Sequence, residues 1–505
     1  MLKFTSYKSL ATYVLAFLFI LSSCKKDKNS DMENTVAGPD LNLYALTADA
    51  KLLLLNAKNP SSVTSEVAIT GLQTGETLLG IDFRPATGQL YGIGSTSRIY
   101  IIDPKTGISR AVNTAAFTPA LNGNSVGFDF NPTVDRIRLI TSAGQNLRVN
   151  PETGLIATAD ANINGVANAK TTAAAYTENR AGAASTVLYD IDVANDKLHK
   201  QDPPNDGKLV EVGSLGIDAD DASGFDISPD GTALAALSVG GSSALYTIDL
   251  ATGKAAKIGN MRTQIVGIAI PTQAVAYAVN SSNQLLIFNP LAPGTPVTKA
   301  ITGLQTGEII LGMDMRPVNG QLYGVGNTSR IYTINASSGV ATMVGTAPIA
   351  ITFIGMDLGV DFNPFVDRLR ILTSAGQNYR VDPLTAVAIV DGNISIPSAV
   401  ISGAAYTNNF AGAASTVLYD IDSQSDKLYK QDPPNVGTLV EVGALGINIE
   451  SANGFDIGGT SGLAYGIFTV GGAQKIYSVN LATGAATAGV DFPQAVRAFT
   501  LGLGF

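Results

Sequence analysis

The stretch GQLYGIGSTSRIYIIDPKTG, residues 88–107, decides the fold class of this chain. Apolar residues alternate with small or polar ones in two short runs, and Gly, Ser, Asp and Pro mark the turns around them. This pattern is typical of short, half-buried antiparallel strands. The stretch SALYTIDLATG at residues 243–253 repeats the second half of the pattern. The sequence therefore predicts an all-β protein built from strand–turn–strand units.

A longer period organises these units. Related segments begin at steps of 43 to 51 residues, near Gly80, Gly127, Ala173, Gly224, Gly267, Gly312, Gly359, Gly403, Gly454 and Arg497. Units of three or four short strands at this period are typical of propeller blades. We therefore expect a β-propeller-like fold with about ten blades in total. A β-solenoid is the structural alternative, although its repeats are usually shorter.

The chain is also duplicated. GLQTGE at residues 71–76 returns at 303–308, and AGAASTVLYDID at 181–192 returns unchanged at 411–422. We therefore divide the chain into a first copy, residues 41–270, and a second copy, residues 271–505.

The repeats leave two ring closures open. IVGIAI at residues 265–270 is followed after three residues by AVAYAV, which looks like a hairpin within one blade and favours a single ten-bladed ring. The likeness of the copies favours two five-bladed rings, each closed by a late strand at residues 265–270 or 497–505. We favour two rings, because similar contacts between blades produce similar angles.

The N-terminus has the pattern of a bacterial lipoprotein signal. Residues 1–23 begin with basic Lys3 and Lys8, and their apolar run at 10–21 is too short to span a bilayer comfortably. LSSC at residues 21–24 resembles a lipobox, so we expect lipid on Cys24 and a flexible polar tether over residues 24–40. Residue 25 is Lys rather than Asp, which does not indicate retention at the inner membrane. These features predict a lipid-anchored protein of the cell envelope, at the outer membrane and either periplasmic or surface-exposed.

Charge and composition exclude several functions. The formal charge is −9, and removal of residues 1–23 takes away two lysines and no acid, which leaves −11. Such an acidic chain repels phosphates, so we expect no nucleic-acid partner. With one Cys and one His, the chain cannot form an internal disulfide or a Cys/His zinc site.

The single histidine does not indicate a catalytic triad. His199 lies in DKLHKQDPP at residues 196–204, and the second copy reads DKLYKQDPP, with Tyr429 at that position. We expect His199 to be a partly exposed strand residue rather than a catalytic base.

Several motifs together resemble a known family. They are GIDFRPATGQLYG at residues 80–92, DFNPTVDRIRLITSAGQNLRVNPETG at 129–154, AAYT at 174–177 and STVLYDIDVANDKLHKQDPPN at 185–205. This combination resembles the bacterial family catalogued as domain of unknown function number 4394, twice over and across nearly all of residues 41–505. The resemblance implies an exported, propeller-like domain and assigns no activity.

Aspartates in a Gly-x-Asp context form the first candidate site. They are Asp82, Asp129 and Asp226 in the first copy and Asp314, Asp361 and Asp456 in the second. On innermost strands, these carboxylates would converge near the axis and hold a hard cation such as calcium. The structural alternative, which we favour, is that each Asp accepts hydrogen bonds from the backbone of the next blade. No other cofactor is expected.

The motif NP-x-x-DR-x-R provides the second candidate site. It contains Asp135, Arg136 and Arg138 in the first copy and Asp367, Arg368 and Arg370 in the second. Exposed arginines at this spacing could bind an anion. We favour a structural role in which Asp and Arg fix a turn or bridge adjacent blades.

These observations favour a non-enzymatic binding or scaffold module that holds a protein, glycan or ion through its loops. One alternative is a glycan-active hydrolase that uses carboxylates, for which Glu76, Glu308, Glu211, Glu441 and the Asp set are available in both copies. Another is a purely structural surface protein. The sequence names no catalytic residue.

Overall fold

The structure is a computed structural model that describes Met1 and residues 35–505. Within these residues it is all-β, apart from one turn of 3-10 helix at Pro204–Asp206. Cys24, the predicted signal peptide and most of the predicted tether lie outside the described residues. None of the helical structure in residues 35–505 is long and apolar enough to cross a bilayer.

Forty strands follow one another along the chain. The first twenty are β1 (Asn42–Thr47), β2 (Lys51–Asn56), β3 (Val63–Ala68), β4 (Leu78–Phe83), β5 (Leu90–Gly94), β6 (Arg98–Ile102), β7 (Ser109–Ala111), β8 (Val126–Asn131), β9 (Arg136–Thr141), β10 (Asn146–Asn150), β11 (Leu155–Ala159), β12 (Thr171–Tyr176), β13 (Leu188–Asp192), β14 (Lys197–Gln201), β15 (Leu209–Ser214), β16 (Asp221–Ile227), β17 (Ala233–Val239), β18 (Ser242–Ile248), β19 (Ala255–Asn260) and β20 (Ile265–Ala269). The second twenty are β21 (Ala276–Asn280), β22 (Gln284–Asn289), β23 (Ala292–Ala300), β24 (Ile310–Arg316), β25 (Gln321–Gly326), β26 (Ile331–Ile334), β27 (Ala341–Met343), β28 (Leu358–Asn363), β29 (Arg368–Thr373), β30 (Asn378–Val381), β31 (Ala388–Val390), β32 (Ile401–Tyr406), β33 (Leu418–Asp422), β34 (Lys427–Gln431), β35 (Leu439–Ala444), β36 (Ser451–Ile457), β37 (Ala464–Val470), β38 (Ala473–Val479), β39 (Ala486–Asp491) and β40 (Val496–Leu501).

The strands form ten four-stranded antiparallel sheets, which we number as blades. Blades 1 to 4 are β4–β7, β8–β11, β12–β15 and β16–β19, and blades 6 to 9 are β24–β27, β28–β31, β32–β35 and β36–β39. Blade 5 joins β20 to β1–β3, and blade 10 joins β40 to β21–β23. A late strand thus completes the blade that early strands of the same copy began.

The innermost strands show that there are two rings. In the first ring β4, β8, β12, β16 and β20 pack side by side in a closed cycle, and in the second ring β24, β28, β32, β36 and β40 do the same. The link after residue 270 is therefore no hairpin, because β20 pairs with β1 whereas β21 pairs with β40. The all-β propeller-like fold with ten blades is confirmed, in the arrangement of two five-bladed rings that we favoured.

The apolar core lies between the blades. Middle strands such as β5 and β13 are buried along their whole length, because neighbouring blades cover both of their faces. The rings of Tyr91 in blade 1 and Phe130 in blade 2 meet edge to face at 5.2 Å, and Tyr323 and Phe362 repeat the contact at 5.0 Å. Each blade is therefore stabilised mainly by contacts with the next one.

Side chains and backbone also join the two rings, at a surface that we call the ring joint. The Arg84 guanidinium donates to the carbonyl oxygens of Asn319 and Gly320 at 3.2 and 3.3 Å. The Tyr277 hydroxyl donates to the carbonyl oxygen of Ala86 at 2.8 Å. These buried contacts hold the rings against each other.

Candidate functional site

Three aspartates meet at the centre of each ring. We call Asp82, Asp129 and Asp226 the first hub, and Asp314, Asp361 and Asp456 the second hub. Within each hub, one carboxylate oxygen of each residue lies within 4.8 Å of those of the other two, and all six side chains are buried. The structure thus brings together the residues of the first candidate site.

Each hub aspartate accepts a hydrogen bond from the backbone of a following blade. In the first hub the donors are the N–H groups of Phe130 to Asp82 at 2.8 Å, Tyr176 to Asp129 at 3.0 Å and Ile270 to Asp226 at 2.5 Å. The second hub repeats this with Phe362 to Asp314 at 2.7 Å, Tyr406 to Asp361 at 3.1 Å and Leu501 to Asp456 at 2.7 Å. The backbone hydrogen bonds that we favoured from the sequence are therefore present. They do not decide whether a hub also binds a cation.

Electrostatics make the hubs unusual. Burial raises the pKa of Asp226 to about 7 and that of Asp456 to about 6. Burial and the charge of Asp226 raise the pKa of Asp82 well above its usual range. Among the described residues, no Lys or Arg forms an ion pair with a hub carboxylate. Since three buried, unpaired negative charges are unfavourable, a hub must hold protons or a cation.

The two hubs differ in the fifth blade of each ring. Ala269 in blade 5 occupies the inner-strand position that Thr500 occupies in blade 10. The Thr500 hydroxyl oxygen lies 2.9 Å from a carboxylate oxygen of Asp314 and 2.9 Å from one of Asp456. A hydroxyl has a single hydrogen, so both hydrogen bonds form together only when one of the carboxyls is protonated.

Glycines close the rings beside the hubs. A Cβ atom at Gly224 would lie 2.5 Å from the backbone nitrogen of Ile268, and one at Gly127 would lie 2.8 Å from that of Ala174. The inner strands therefore approach more closely than a side chain allows. A hollow beside the first hub is lined by these glycines and their neighbours.

The residues of the second candidate site bridge blades. Asp135, in the left-handed turn between β8 and β9 with φ of 51°, accepts two hydrogen bonds from Arg84 of blade 1. Arg136 donates to the backbone carbonyl oxygen of Asp135 at 2.7 Å. Buried Arg138 donates to Asp160 at 2.7 Å and, in blade 3, to Asn205 at 2.8 Å. The side chains of Asp135, Arg136 and Arg138 therefore all form hydrogen bonds within the protein.

The second copy repeats this arrangement. Asp367 accepts from Arg316, Arg368 donates to the carbonyl oxygen of Asp367, and Arg370 donates to Asp391 and Asn435. The sequence interpretation missed Arg84 and Arg316 together with Asp160 and Asp391. The two arginines could have been identified from the sequence, because DFRP at residues 82–85 returns as DMRP at 314–317.

His199 is fully buried, so the expectation of partial exposure is wrong. It lies on β14, a middle strand, and its Nε2 is 3.4 Å from a carboxylate oxygen of Asp192. Opposite His199 in the ladder stands Asp190, which is also fully buried. Burial raises the pKa of Asp190 to about 8, although the charge of Arg138 opposes the shift.

The glutamates of the hydrolase alternative lie in different places. Glu76 is buried and accepts hydrogen bonds from Thr96 and Tyr100 of blade 1. Glu211 on β15 pairs with Lys197 on β14 at 2.7 Å, in blade 3. The counterparts Glu308 and Glu441 make the matching contacts in blades 6 and 8. The structure therefore does not bring these glutamates together as a pair.

Comparison with known proteins gives a family and distant structural likeness. The family model described as a domain of unknown function (DUF4394) matches residues 51–269 and again 284–501. The extracellular domain of the putative one component system BT4673 from B. thetaiotaomicron has 12% identity and a TM-score of 0.26, over 90% of this chain and 59% of that chain. PorZ from Porphyromonas gingivalis has 12% identity and a TM-score of 0.26, over 90% of this chain and 60% of that chain. This chain thus spans less than two thirds of either structure. A comparison with curated proteins found no match.

Proposed function

We propose a non-enzymatic function for this chain, which belongs to the family described as a domain of unknown function (DUF4394). It is a binding or scaffold module, held at the cell envelope by lipid on Cys24, and its ligand is a protein. The observation that carries the proposal is an apolar surface on blade 7, which we call the blade 7 patch. It consists of Phe365, Val366, Leu384 and Val387.

The blade 7 patch lies on two neighbouring turns. Phe365 and Val366 belong to the turn between β28 and β29, and Leu384 and Val387 to the turn between β30 and β31. An ion pair at 3.3 Å between Arg368 and Asp382, which flank these turns, shows that the turns are adjacent. Phe365 is 61% exposed and Leu384 is 69% exposed. Exposed apolar residues on neighbouring turns, beside a pair of charged residues, are typical of a protein-binding surface.

The first ring uses the matching surface for a protein contact. The residue that matches Leu384 is Glu152, and it accepts hydrogen bonds from Arg84 and, across the ring joint, from Gln321. The residue that matches Phe365 is Thr133. Glu152 thus contacts the second ring, whereas the first-ring counterparts of Val366 and Val387 are exposed as well. The blade 7 patch is the more apolar surface because it has Phe365 and Leu384 in place of Thr133 and Glu152. Burial of Phe365 and Leu384 against a partner would contribute about 1.5–3 kcal/mol each.

The anchor has its own test. Lipid on Cys24 would place both rings at the outer membrane, on its periplasmic or its outer side, with the tether over residues 24–40 as the spacer. In cells fed labelled palmitate, the full-length protein should carry the label and sediment with membranes, whereas Cys24→Ala should do neither. Labelling of Cys24→Ala would show that the anchor lies elsewhere.

Photo-crosslinking in cells tests the patch. A crosslinking residue at Phe365 of the full-length protein should join it to one partner protein. The double variant Phe365→Thr and Leu384→Glu, which restores first-ring residues, should bind that partner at least tenfold more weakly in a purified assay. Val210→Thr, at an exposed site on blade 3, is the matched control.

Three outcomes would overturn the proposal. A crosslink only to a second copy of this chain would make the patch a homotypic interface. No crosslink, together with an empty glycan array, would favour a purely structural surface protein. Turnover of a glycoside substrate by purified protein, lost in Asp129→Asn or Glu76→Gln, would make the hydrolase alternative the correct one.

A further inference from the structure

The first hub has the dimensions of a calcium site. Calcium binds oxygen ligands at about 2.3–2.6 Å, so oxygens on opposite sides of the ion are about 5 Å apart. The three carboxylate oxygens of Asp82, Asp129 and Asp226 lie within 4.8 Å of one another. All the ligand groups are oxygens, which favours a hard cation over a transition metal.

Two buried oxygen atoms at the first hub point independently to a missing partner. Among the described residues, neither Oδ2 of Asp129 nor Oδ1 of Asn179 has a hydrogen-bond partner, and the matching atoms of the second hub, Oδ2 of Asp361 and Oδ1 of Asn409, have none either. The side chain of Asn179 is fully buried, and its Nδ2 lies 3.4 Å from a carboxylate oxygen of Asp226. An unpaired buried acceptor is unfavourable, so these atoms indicate a bound group that accepts electron pairs, which is either a cation or a proton on a carboxyl oxygen.

The second hub differs from the first in one hydroxyl group, so the choice between a cation and a proton rests on Thr500. Thr500 contacts both Asp314 and Asp456 at 2.9 Å and links them through its hydroxyl group. The matching residue of the first hub is Ala269, which has no hydroxyl group. Asp82 and Asp226 are therefore not linked in this way. The hydroxyl link requires a protonated carboxyl, whereas a cation requires deprotonated ones. The two arrangements therefore exclude each other at one hub.

We propose that the first hub binds one divalent cation of the calcium class through Asp82, Asp129 and Asp226, and that Thr500 prevents binding at the second hub. The cation joins the inner strands of blades 1, 2 and 4. Because each ligand also accepts a backbone N–H from another blade, cation binding strengthens the closure of the first ring. Its role is structural and does not depend on the proposed function.

The duplicated chain supplies matched variants for the test. Full-length protein in detergent is dialysed against calcium, desalted and measured by elemental mass spectrometry, and its melting temperature is compared with and without EDTA. Wild type should hold one calcium per chain and melt at a lower temperature in EDTA. Ala269→Thr should hold none, and Thr500→Ala should hold two. Asp129→Asn, which keeps an oxygen for the N–H of Tyr176, should also hold none.

The outcomes are distinct. No calcium in the wild type, or no EDTA effect on its melting, overturns the proposal. Two calcium ions in the wild type, or one retained by Ala269→Thr, overturns the assignment to the first hub. If Ala269→Thr fails to fold, as judged by circular dichroism in EDTA, Asp129→Asn alone decides whether the first hub is the site.

Discussion

The guanidinium of Arg84 pairs with the carboxylate of Asp135, fifty-one residues later and one blade further around the first ring. Nε and Nη2 donate to the two oxygens at 2.8 and 2.5 Å, and neither side chain is exposed beyond 2%. The same guanidinium reaches two carbonyl oxygens of the second ring. One side chain therefore joins two blades and both rings.

Loss of Arg84 should be costly, because Asp135 would remain as an uncompensated buried charge. We expect Arg84→Gln to lower the free energy of unfolding by about 3–5 kcal/mol. The matched control is Arg316→Gln. Its partner Asp367 is 29% exposed to solvent, so we expect a smaller loss of unfolding free energy in this variant. The midpoints of urea unfolding measure both effects. Equal losses in the two variants would contradict the assignment of the extra stability to burial.

The glycines beside the hub predict a second effect. Gly224→Ala places a methyl group 2.5 Å from the backbone nitrogen of Ile268, so the inner strands of blades 4 and 5 must separate. We expect a loss of about 1–3 kcal/mol from this overpacking. Gly294→Ala is the control, because no atom lies within 4 Å of its added Cβ, and its stability should change by less than about 0.5 kcal/mol. A neutral Gly224→Ala would show that the ring closes without this contact.

The sequence predicted those features that repeat within one blade. Strand alternation and turn residues are local, so the ten blades could be predicted, and the position of Asp82 on its strand returned in Asp129 and Asp226. That regularity is why their convergence was expected. Ring closure stayed open because it depends on whether β20 pairs with β1 or with the strand that follows it.

Contacts between blades and between rings could not be predicted. Arg84 stands beside Pro85 in a turn, and nothing near it in the sequence identifies Asp135 as its partner. The burial of His199 was missed for a related reason. Its neighbours Lys197 and Lys200 suggest exposure, but a middle strand of a blade is covered on both faces by adjacent blades.

His199 provides a third prediction. Tyr429 fills the matching position in the second ring, where it is also buried. We therefore expect His199→Tyr to fold and to change stability by less than about 1.5 kcal/mol, measured by urea unfolding at neutral pH. Tyr189→Ala in the adjacent strand, which removes a buried ring, should cost about 3–5 kcal/mol and shows that the assay detects damage in blade 3. A large loss in His199→Tyr would mean that the imidazole has a specific role in the first ring.

Asp190 predicts how stability depends on pH. Its pKa is raised by burial to about 8 in the folded protein, against about 3.9 in an unfolded chain. The folded state therefore binds the proton more tightly, and this contribution to stability is complete below about pH 4 and is lost as the pH rises toward about 8.

The variant Asp190→Asn keeps the shape of the side chain but cannot bind or release a proton. The difference in unfolding midpoint between Asp190→Asn and wild type should therefore shift in favour of the variant as the pH rises from about 5 to about 8. The hub aspartates give a slope of the same sign in both proteins, so the difference isolates Asp190. Asp420→Asn should behave alike, because burial also raises the pKa of Asp420 well above its usual range. A difference that stays constant across this range would show that Asp190 is charged in the folded protein.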